Sequence, residues 1–418
     1  MKLGSYSKVP GAGGSVRYQA PVLSRDPKVP THLWFDVCGA DDRELATTCD
    51  SALLALLIPA MSRGEDIFVR GPVSPLLLHQ VRGPVQAMLR CVLPTLRRIR
   101  IEAEETATVT APSGRGVVTG FSGGVDSFCV LADHTGPDVA SELRISHLLY
   151  NNVGSHSDGG EGLFEERRAR LRPAVDRLGL PFIGINSNVN DFFTGTGLTF
   201  QQTHTVRNAA AALLFQAEIP LYLYASSFAF SDIAVMEDPA LARTDPVLLP
   251  MLGTEAMRLL PSGTEYSRVE KTVRVAEVEA SYEFLDVCVW ATHAGNCSKC
   301  WKCMRTLLTL DIAGLIERYG RVFDLRVYRE RRARFIGEVL QSRHPLMREI
   351  LAFARDRGVS LPWISRAYSM LPLDRARALK KSIDAWTGRK PAPVTAPTLA
   401  AVPTLTVTSA TANARRDS

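Results

Sequence analysis

The hydrophobic pattern changes period repeatedly along the chain, and each change predicts an element. Residues 1–30 are rich in glycine, proline and small polar residues, with "SVRYQAPVL" (15–23) alternating as an edge strand would before the strand-like "THLWFDVCG" (31–39). The run "ATTCDSALLALLIPAMSRG" has helical spacing and ends at Gly64. "DIFVRG" (66–71) and "RRIRIEAEE" (97–105) read as strands on either side of an interrupted helical segment, "PLLLHQVRGPVQAMLRCVLPTL" (75–96). Residues 1–110 therefore predict a small α/β N-terminal domain. It shows no catalytic constellation, so its expected roles are packing, homodimerisation, docking of a protein partner or covering part of a substrate site.

At residue 116 the pattern becomes one of short apolar runs separated by helical stretches. "GVVTGF" (116–121), "FCVLADH" (128–134), "LRISHLLYN" (143–151), "PFIGINSNV" (181–189) and "LYLYASS" (221–227) read as strands; "LFEERRARLRPAVDRLG" (163–179) and "TFQQTHTVRNAAAALLF" (199–215) read as helices. Such alternation is the mark of an open, mostly parallel sheet with crossover helices, which sets the fold class as α/β over residues 112–312. From 313 to 388 the segments "IAGLIERYG", "RRARFIGEVLQSR", "LMREILAFARDRG" and "LDRARALKKSIDAW" have amphipathic helical spacing. Residues 389–418, dominated by Pro, Ala and Thr, have no core-building pattern and predict a disordered tail.

Composition narrows the class. The chain of 418 residues is 46% hydrophobic, enough for two or three domains with cores. Its formal charge of +6 includes short basic clusters at 97–100 and 329–334, which fit a phosphate-rich partner or a solvated helix face equally well. The N-terminus lacks the apolar run of a signal peptide, and no segment has eighteen consecutive apolar residues. The expectation is a cytoplasmic protein without a membrane span, whose eight cysteines are reduced and free for metal or catalysis.

The sequence "GFSGGVDSF" (120–128) places Ser-Gly-Gly-x-Asp-Ser after an apolar strand and at the expected start of a helix. Glycines allow tight turning and close backbone approach, and free N–H groups at a helix start converge on an anion. Ser122 and Ser127 add hydroxyl donors; Asp126 is costly beside phosphate unless a cation such as Mg²⁺ bridges them. A glycine-rich turn closed by an Asx or Ser cap would use the same residues. The Gly-Lys-Ser/Thr ending of the common ATPase phosphate loop is absent, as is dinucleotide-fingerprint spacing. Asn151, at the end of the following strand, is placed to contact ligand.

Cys288, Cys297, Cys300 and Cys303 are separated by eight, two and two residues. Four thiolates with two C-x-x-C steps suit tetrahedral zinc; an iron–sulfur cluster or catalytic thiols fit the same residues. Lys299, Lys302 and Arg305 are available to offset the negative charge of a metal thiolate site.

The loop resembles that of the PP-loop ATP pyrophosphatase superfamily, enzymes that cleave ATP between its α and β phosphates. Loop and cysteine spacing together, over residues 116–312, are similar to the 7-cyano-7-deazaguanine synthase (QueC-like) branch. The resemblance implies an adenine nucleotide alpha hydrolase-like sheet, an ATP pyrophosphate held by Ser122, Gly123, Gly124, Asp126 and Ser127, and a structural Zn²⁺ on the four cysteines. It also implies a carboxylate activated as its adenylate and captured by ammonia or an amine, giving an amide or nitrile on a deazapurine or another biosynthetic intermediate. About 110 residues before the loop and over 100 after the cysteines depart from that branch and point to a larger or different substrate. Sulfur transfer to RNA or a small molecule, and a catalytically inactive nucleotide-responsive scaffold, are the other expectations.

Further candidates lie at strand ends and on the helices that follow. His204 and Asn208 are four apart on one helical face; Ser226 ends an apolar strand, with Asp232 beyond it; Arg268 and Lys271 share the basic segment after "DPVLLPMLGTE" (245–255), which reads as a connection. Each has an ordinary alternative as a cap, core polar group or solvated charge. No hydrolytic triad order and no H-E-x-x-H motif is present.

Overall fold

In the computed structural model, which describes residues 1–110, 116–156, 160–238, 240–288 and 295–370, the N-terminal segment enters the sheet at once. Two short strands, β1 (Lys2–Leu3) and β2 (Ser7–Pro10), precede β3 (Val16–Leu23), β4 (His32–Cys38), β5 (Ile67–Val73) and β6 (Ile101–Thr106). β3 is an interior strand rather than the expected edge: it pairs with β1, β2 and β4, and its alternate residues Tyr18, Ala20 and Val22 are buried. Helix α1 (Asp50–Arg63) is buried from Asp50 to Met61. Its four leucines, 53, 54, 56 and 57, have no exposed surface, and each contributes about 2 kcal/mol of apolar burial. Asp50 is tolerated there because Thr48, Ser74 and Gln216 all donate to its carboxylate. Helices α2 (Pro75–Arg82) and α3 (Pro84–Val92) divide at Gly83–Pro84, the interruption expected in that segment.

The second half supplies β7 (Val117–Gly120), α4 (Val125–His134), β8 (His147–Asn152), α5 (Gly160–Leu178), β9 (Phe182–Ser187), α6 (His204–Ala212), β10 (Leu221–Ala225), α7 (Asp245–Met251) and β11 (Arg258–Ser262). "FCVLADH" is helical, not a strand: Phe128 and Leu131, three apart, are buried on one side of a ten-residue helix capped at Gly124. Residues 245–251, expected as a connection, likewise form α7.

The eleven strands form one mixed, mostly parallel sheet in the order β11-β10-β7-β8-β9-β4-β3-β1-β5-β6, with β2 on β3. β7 to β11 are mutually parallel, and β4 runs antiparallel to β9, pairing Asp36 with Asn186. The N-terminal unit is thus grafted onto the edge of the parallel sheet, and one apolar core runs through both. Adjacent residues of the central strands face opposite cores. Val118, Leu149 and Tyr222 join α1 and α6; Val117, Leu148 and Leu221 join α4, α5 and the C-terminal helices. Crossovers leave the central β7 in both directions, so a topological switch point lies between β7 and β10, and the crevice at their carboxyl ends is open to ligand.

Helices α8 (Arg268–Arg274), α9 (Ser281–Phe284), α10 (Trp301–Ile312), α11 (Leu325–Gln341), α12 (Pro345–Asp356) and α13 (Trp363–Met370) close the face carrying α4. They bear out the helical spacing of the segments at 331–343 and 346–358, whereas "IAGLIERYG" (312–320) is a turn at Gly314, φ +73°, followed by a short 3-10 helix, Ile316–Tyr319. The expected helix at 373–386 and tail at 389–418 lie outside the described residues.

Candidate active site and cysteine cluster

The carboxyl end of β7 leads through Phe121–Gly124 into α4, so the first turn of that helix points at the switch-point crevice. Gly123 has φ +73°, and an added Cβ would stand 2.7 Å from Leu171 Cδ2 and 3.3 Å from the Phe284 carbonyl. Only glycine fits that turn. Gly124, with φ −83°, is extended and needs no special freedom; its nearest neighbour to an added Cβ is Ser122 Oγ at 3.4 Å. The Gly123 carbonyl accepts from Asp286 N at 2.7 Å, which fastens the loop to the segment leading into the cysteines. Ser127 Oγ donates to Gly124 O at 3.0 Å and shapes the first turn of α4.

Asp126 faces a cavity of about 490 Å³. Arg268 Nη1 lies 2.8 Å from its Oδ1, Nη2 3.0 Å from its Oδ2, and Lys271 Nζ 3.5 Å from Oδ1. Burial opposes ionisation of Asp126, but the charges of Arg268 and Lys271 outweigh it and hold the carboxyl below its ordinary pKa. Arg268 also donates to Ser227 O at 2.9 Å, tying α8 to the end of β10.

Among the described residues the cavity walls carry the cations Arg268, Lys302 and Arg305, together with Arg167, which has a partner of its own, against the carboxylates Asp126 and Asp286. Arg305 is only 7% exposed, its guanidinium lies 4.8 Å from the Trp301 ring centroid, and its Nη1 has no hydrogen-bond partner among the described residues. Burial, then Arg268, draws the Arg305 pKa down to about 9, and burial with Arg305 and Arg268 lowers that of Lys302. These cations repel one another in a partly desolvated space. An anion entering the cavity would relieve that repulsion.

The structure brings Ser122, Gly124, Asp126, Ser127, Asn151, His204, Asn208 and Arg268 to the walls of this one cavity. Asn151 Nδ2 donates to Asn208 Oδ1 at 3.2 Å, joining β8 to α6. Burial pushes His204 down to about 4, so its imidazole is neutral. Gly123 turns the loop but does not itself line the space, and Lys271, 1% exposed, stands behind Asp126. Ser226 does not line it either: its hydroxyl donates to Asp245 Oδ2 at 3.0 Å beneath the cavity floor, and Ser227 takes the wall position. Asp232 is also off the wall, its carbonyl accepting from Arg243 at 2.8 Å.

Residues that sequence reasoning did not assign to this site include Tyr150 and His156, hydrogen-bonded at 2.9 Å, together with Arg167 and Asp286. His156, pushed to about 4 by burial and then by Arg167, is neutral as well. Lys302 and Arg305 were visible only as neighbours of the cysteines. Their place in the cavity follows from the packing of α10 against α8, which adjacency along the chain does not report.

The sulfurs of Cys288, Cys297, Cys300 and Cys303 lie within 4.8 Å of one another, and Cys297 and Cys303 are 3.9 Å apart. Four thiolates around a tetrahedral metal at a bond length of about 2.3 Å stand about 3.8 Å apart, so the set can close on one ion. Backbone N–H groups of Cys300 and Cys303 point at Cys297 Sγ and Cys300 Sγ, at 3.2 and 3.5 Å. Hydrogen bonding to Cys288 and Cys303 draws Cys300 down to about 6 against the opposing effect of Cys297, while the same contacts push Cys303 up, as expected of four thiols sharing protons at close range.

Ser298, between the ligands, has φ 56° and a buried hydroxyl that accepts from Asp324 N at 2.8 Å. Asp324 in turn caps α11 by accepting from Arg326 N and Val327 N. Asn296 accepts from Val287 N and donates to the Leu285 and Val322 carbonyls. The cysteine-bearing turn is therefore stitched both to the segment under the loop and to the C-terminal helices. Cys288 itself lines the cavity, and α10 starts at the cluster before presenting Trp301, Lys302 and Arg305 to the cavity.

No family model, no curated protein and no solved structure matches this chain. Among the described residues no helix is long and apolar enough to cross a membrane.

Proposed function

We propose that this chain is an ATP-dependent ligase of the PP-loop type, which adenylates a carboxylate and passes the acyl group to ammonia or an amine. The observation that carries the reading is the convergence, at the carboxyl ends of β7 and β10, of a glycine-turned helix start with half-buried Lys302 and buried Arg305. A helix N-terminus and surplus cations suit the triphosphate of ATP together with an acid.

In this reading the first turn of α4, Ser122 and Ser127 hold the β and γ phosphates, and Arg268 turns from Asp126 to phosphate. Asp126 is ionised and on the wall, which makes it the oxygen donor for Mg²⁺; the ion would supply charge neutralisation of the departing pyrophosphate. The acid's oxygen attacks the α phosphorus, the bond from that phosphorus to the bridging oxygen breaks, and pyrophosphate leaves with the electron pair. The amine nitrogen then attacks the acyl carbon, loses a proton and displaces AMP. Neutral His204 and His156 are suited to accept or donate hydrogen bonds, not to store charge.

The four-cysteine site is proposed to hold zinc with all positions filled by protein, which makes it a support for α10 and so for Lys302 and Arg305. Sulfur transfer is the second reading, because Cys288 borders the cavity. Convergence of its sulfur with three others favours metal ligation over a free nucleophile.

Acid-dependent exchange of labelled pyrophosphate into ATP tests the proposal, with products weighed after supply of ammonia, amine or sulfide. Nitrogen-derived mass supports ligation. Orthophosphate and ADP as the products, or sulfur-derived mass that requires Cys288 as a thiol, would end it; ATP binding with no exchange across an acid library would favour the scaffold.

A further inference from the structure

Trp301 lines both the cavity and an outer groove of about 410 Å³, which it shares with Lys299, Met304, Arg331, Arg334, Phe335 and Glu338, and the Arg305 guanidinium lies 4.8 Å from its ring centroid. The indole is 45% exposed, a large apolar surface left open where the two spaces meet.

Charge in the groove is not balanced. Along α11, Arg326 pairs with Glu330, Arg329 with Glu317 and Arg332 with Asp311. Arg334 has Glu338 at 3.5 Å, and among the described residues that line the groove Glu338 is the one carboxylate beside Lys299, Arg331 and Arg334. Across Trp301, buried Arg305 has a nitrogen without a hydrogen-bond partner among the described residues. Two cationic stations are therefore separated by one aromatic wall, and Met304 and Phe335 give the outer one an apolar floor.

We infer that the acid bound here carries a second anionic group, of carboxylate or phosphate chemistry, which lies beyond Trp301 against Lys299, Arg331 and Arg334. This rests on the acid-activating reading above. The reacting carboxylate meets Arg305 in the cavity, the apolar middle of the molecule crosses the indole, and the distal anion reaches the groove. A nucleic-acid strand is the poorer occupant. The other basic cluster, at 97–100, adjoins β6 at the far edge of the sheet, seven strands from β7 and roughly 30 Å away at about 4.8 Å per strand, so no continuous basic track joins it to the cavity.

Isothermal titration calorimetry on the full chain, with its metal and a saturating non-hydrolysable ATP analogue, tests this. The probes are straight-chain monocarboxylates, α,ω-dicarboxylates and ω-phosphonooxy acids of graded length, with a single-stranded RNA oligonucleotide as comparison. At one optimal length a two-anion acid should bind about tenfold tighter than its one-anion counterpart. Arg331→Ala with Arg334→Ala, both at exposed positions of α11, should shrink that preference to less than about twofold while ATP-analogue affinity stays unchanged. Equal binding of one- and two-anion acids, a preference that survives the double variant, or groove-dependent binding of RNA alone would overturn the inference. Pyrophosphate exchange driven by monoacids with no gain from a second anion would sink it and leave the ligase reading standing. Tight two-anion binding without exchange for any acid would do the reverse.

Discussion

Arg268 holds Asp126 with both terminal nitrogens, at 2.8 and 3.0 Å, although the two residues are 142 apart in sequence. The contact fixes the start of α8 against the glycine loop at 121–124 and holds the Asp126 carboxyl below its ordinary pKa inside the cavity.

Breaking that pair should cost both stability and chemistry. In Arg268→Ala, Asp126 retains only Lys271, and unfolding in urea should show a loss of about 2 kcal/mol, below the range for a fully buried pair because Asp126 is partly exposed. Asp126→Asn leaves two cations unpaired, so it too should destabilise the fold, and pyrophosphate exchange should fall by about 100-fold or more. The pH dependence has a definite sign. A carboxyl held below its unfolded value contributes stability above about pH 4 and loses it as pH falls through the folded pKa. Acid unfolding of Arg268→Ala should therefore begin at higher pH than in the wild type, and an unshifted acid limb would contradict the clamp.

The two glycines of the loop should behave differently. Gly123→Ala forces a side chain into φ +73° and toward Leu171 and the Phe284 carbonyl, a cost of about 2 kcal/mol or more in thermal unfolding. Gly124→Ala meets ordinary contacts, so its melting temperature should stay near the wild-type value while ATP affinity falls because the added methyl lines the cavity. Equal destabilisation by both variants would mean that the turn is not what the glycines serve.

The alternation of β-strands and helices was legible because parallel strands buried on both faces are continuous apolar runs. "FCVLADH" shows where that signal fails: a seven-residue apolar run fits a strand or a helix face equally, and only Gly124 as a cap decides it. β1 and β2, two and four residues long, are too short to leave a pattern. The loop and the cysteines were legible because each is local in sequence. Arg268 was legible as a candidate but not as the partner of Asp126, and Lys302 and Arg305 share the cavity with Asp126 only through the packing of α8 and α10, because a buried arginine looks the same in sequence as a solvated one. Ser226 and Ser227 differ by one position at a strand end, where direction decides which reaches ligand.

Removing the metal should disorder the cavity from the side of α10. Metal analysis of protein purified without supplement should give one zinc per chain, and Cys303→Ser, at the buried ligand, should lose it together with several kcal/mol of stability. Because α10 begins at the cluster, the fluorescence of Trp301 should change with chelation and ATP affinity should fall in parallel. Iron with acid-labile sulfide would replace zinc by a cluster; full ATP affinity after metal loss would uncouple the two sites.

Asp245 offers a test on the neutral side of the pH scale. It is fully buried beneath the cavity, accepts from Thr205 at 2.8 Å and Ser226 at 3.0 Å, and burial raises its pKa to about 7 despite those bonds. Among the described residues Tyr222, Tyr224, Lys271 and Asp126 are the other ionisable groups that act on it. For a carboxyl whose folded pKa lies above its unfolded value, the unfolded chain releases the proton first. Its stabilising contribution is full below about pH 4 and is lost progressively as pH rises toward 7, a few kcal/mol in all. Asp245→Asn cannot ionise, so urea unfolding of this variant should be flatter between pH 5 and 8 than that of the wild type, and its stability relative to the wild type should rise toward the alkaline end. A wild-type stability that rises steeply across the same interval, and does so equally in the variant, would show that Asp245 is ionised throughout and that Lys271, whose ammonium donates to the Ser226 carbonyl, compensates it in the folded state.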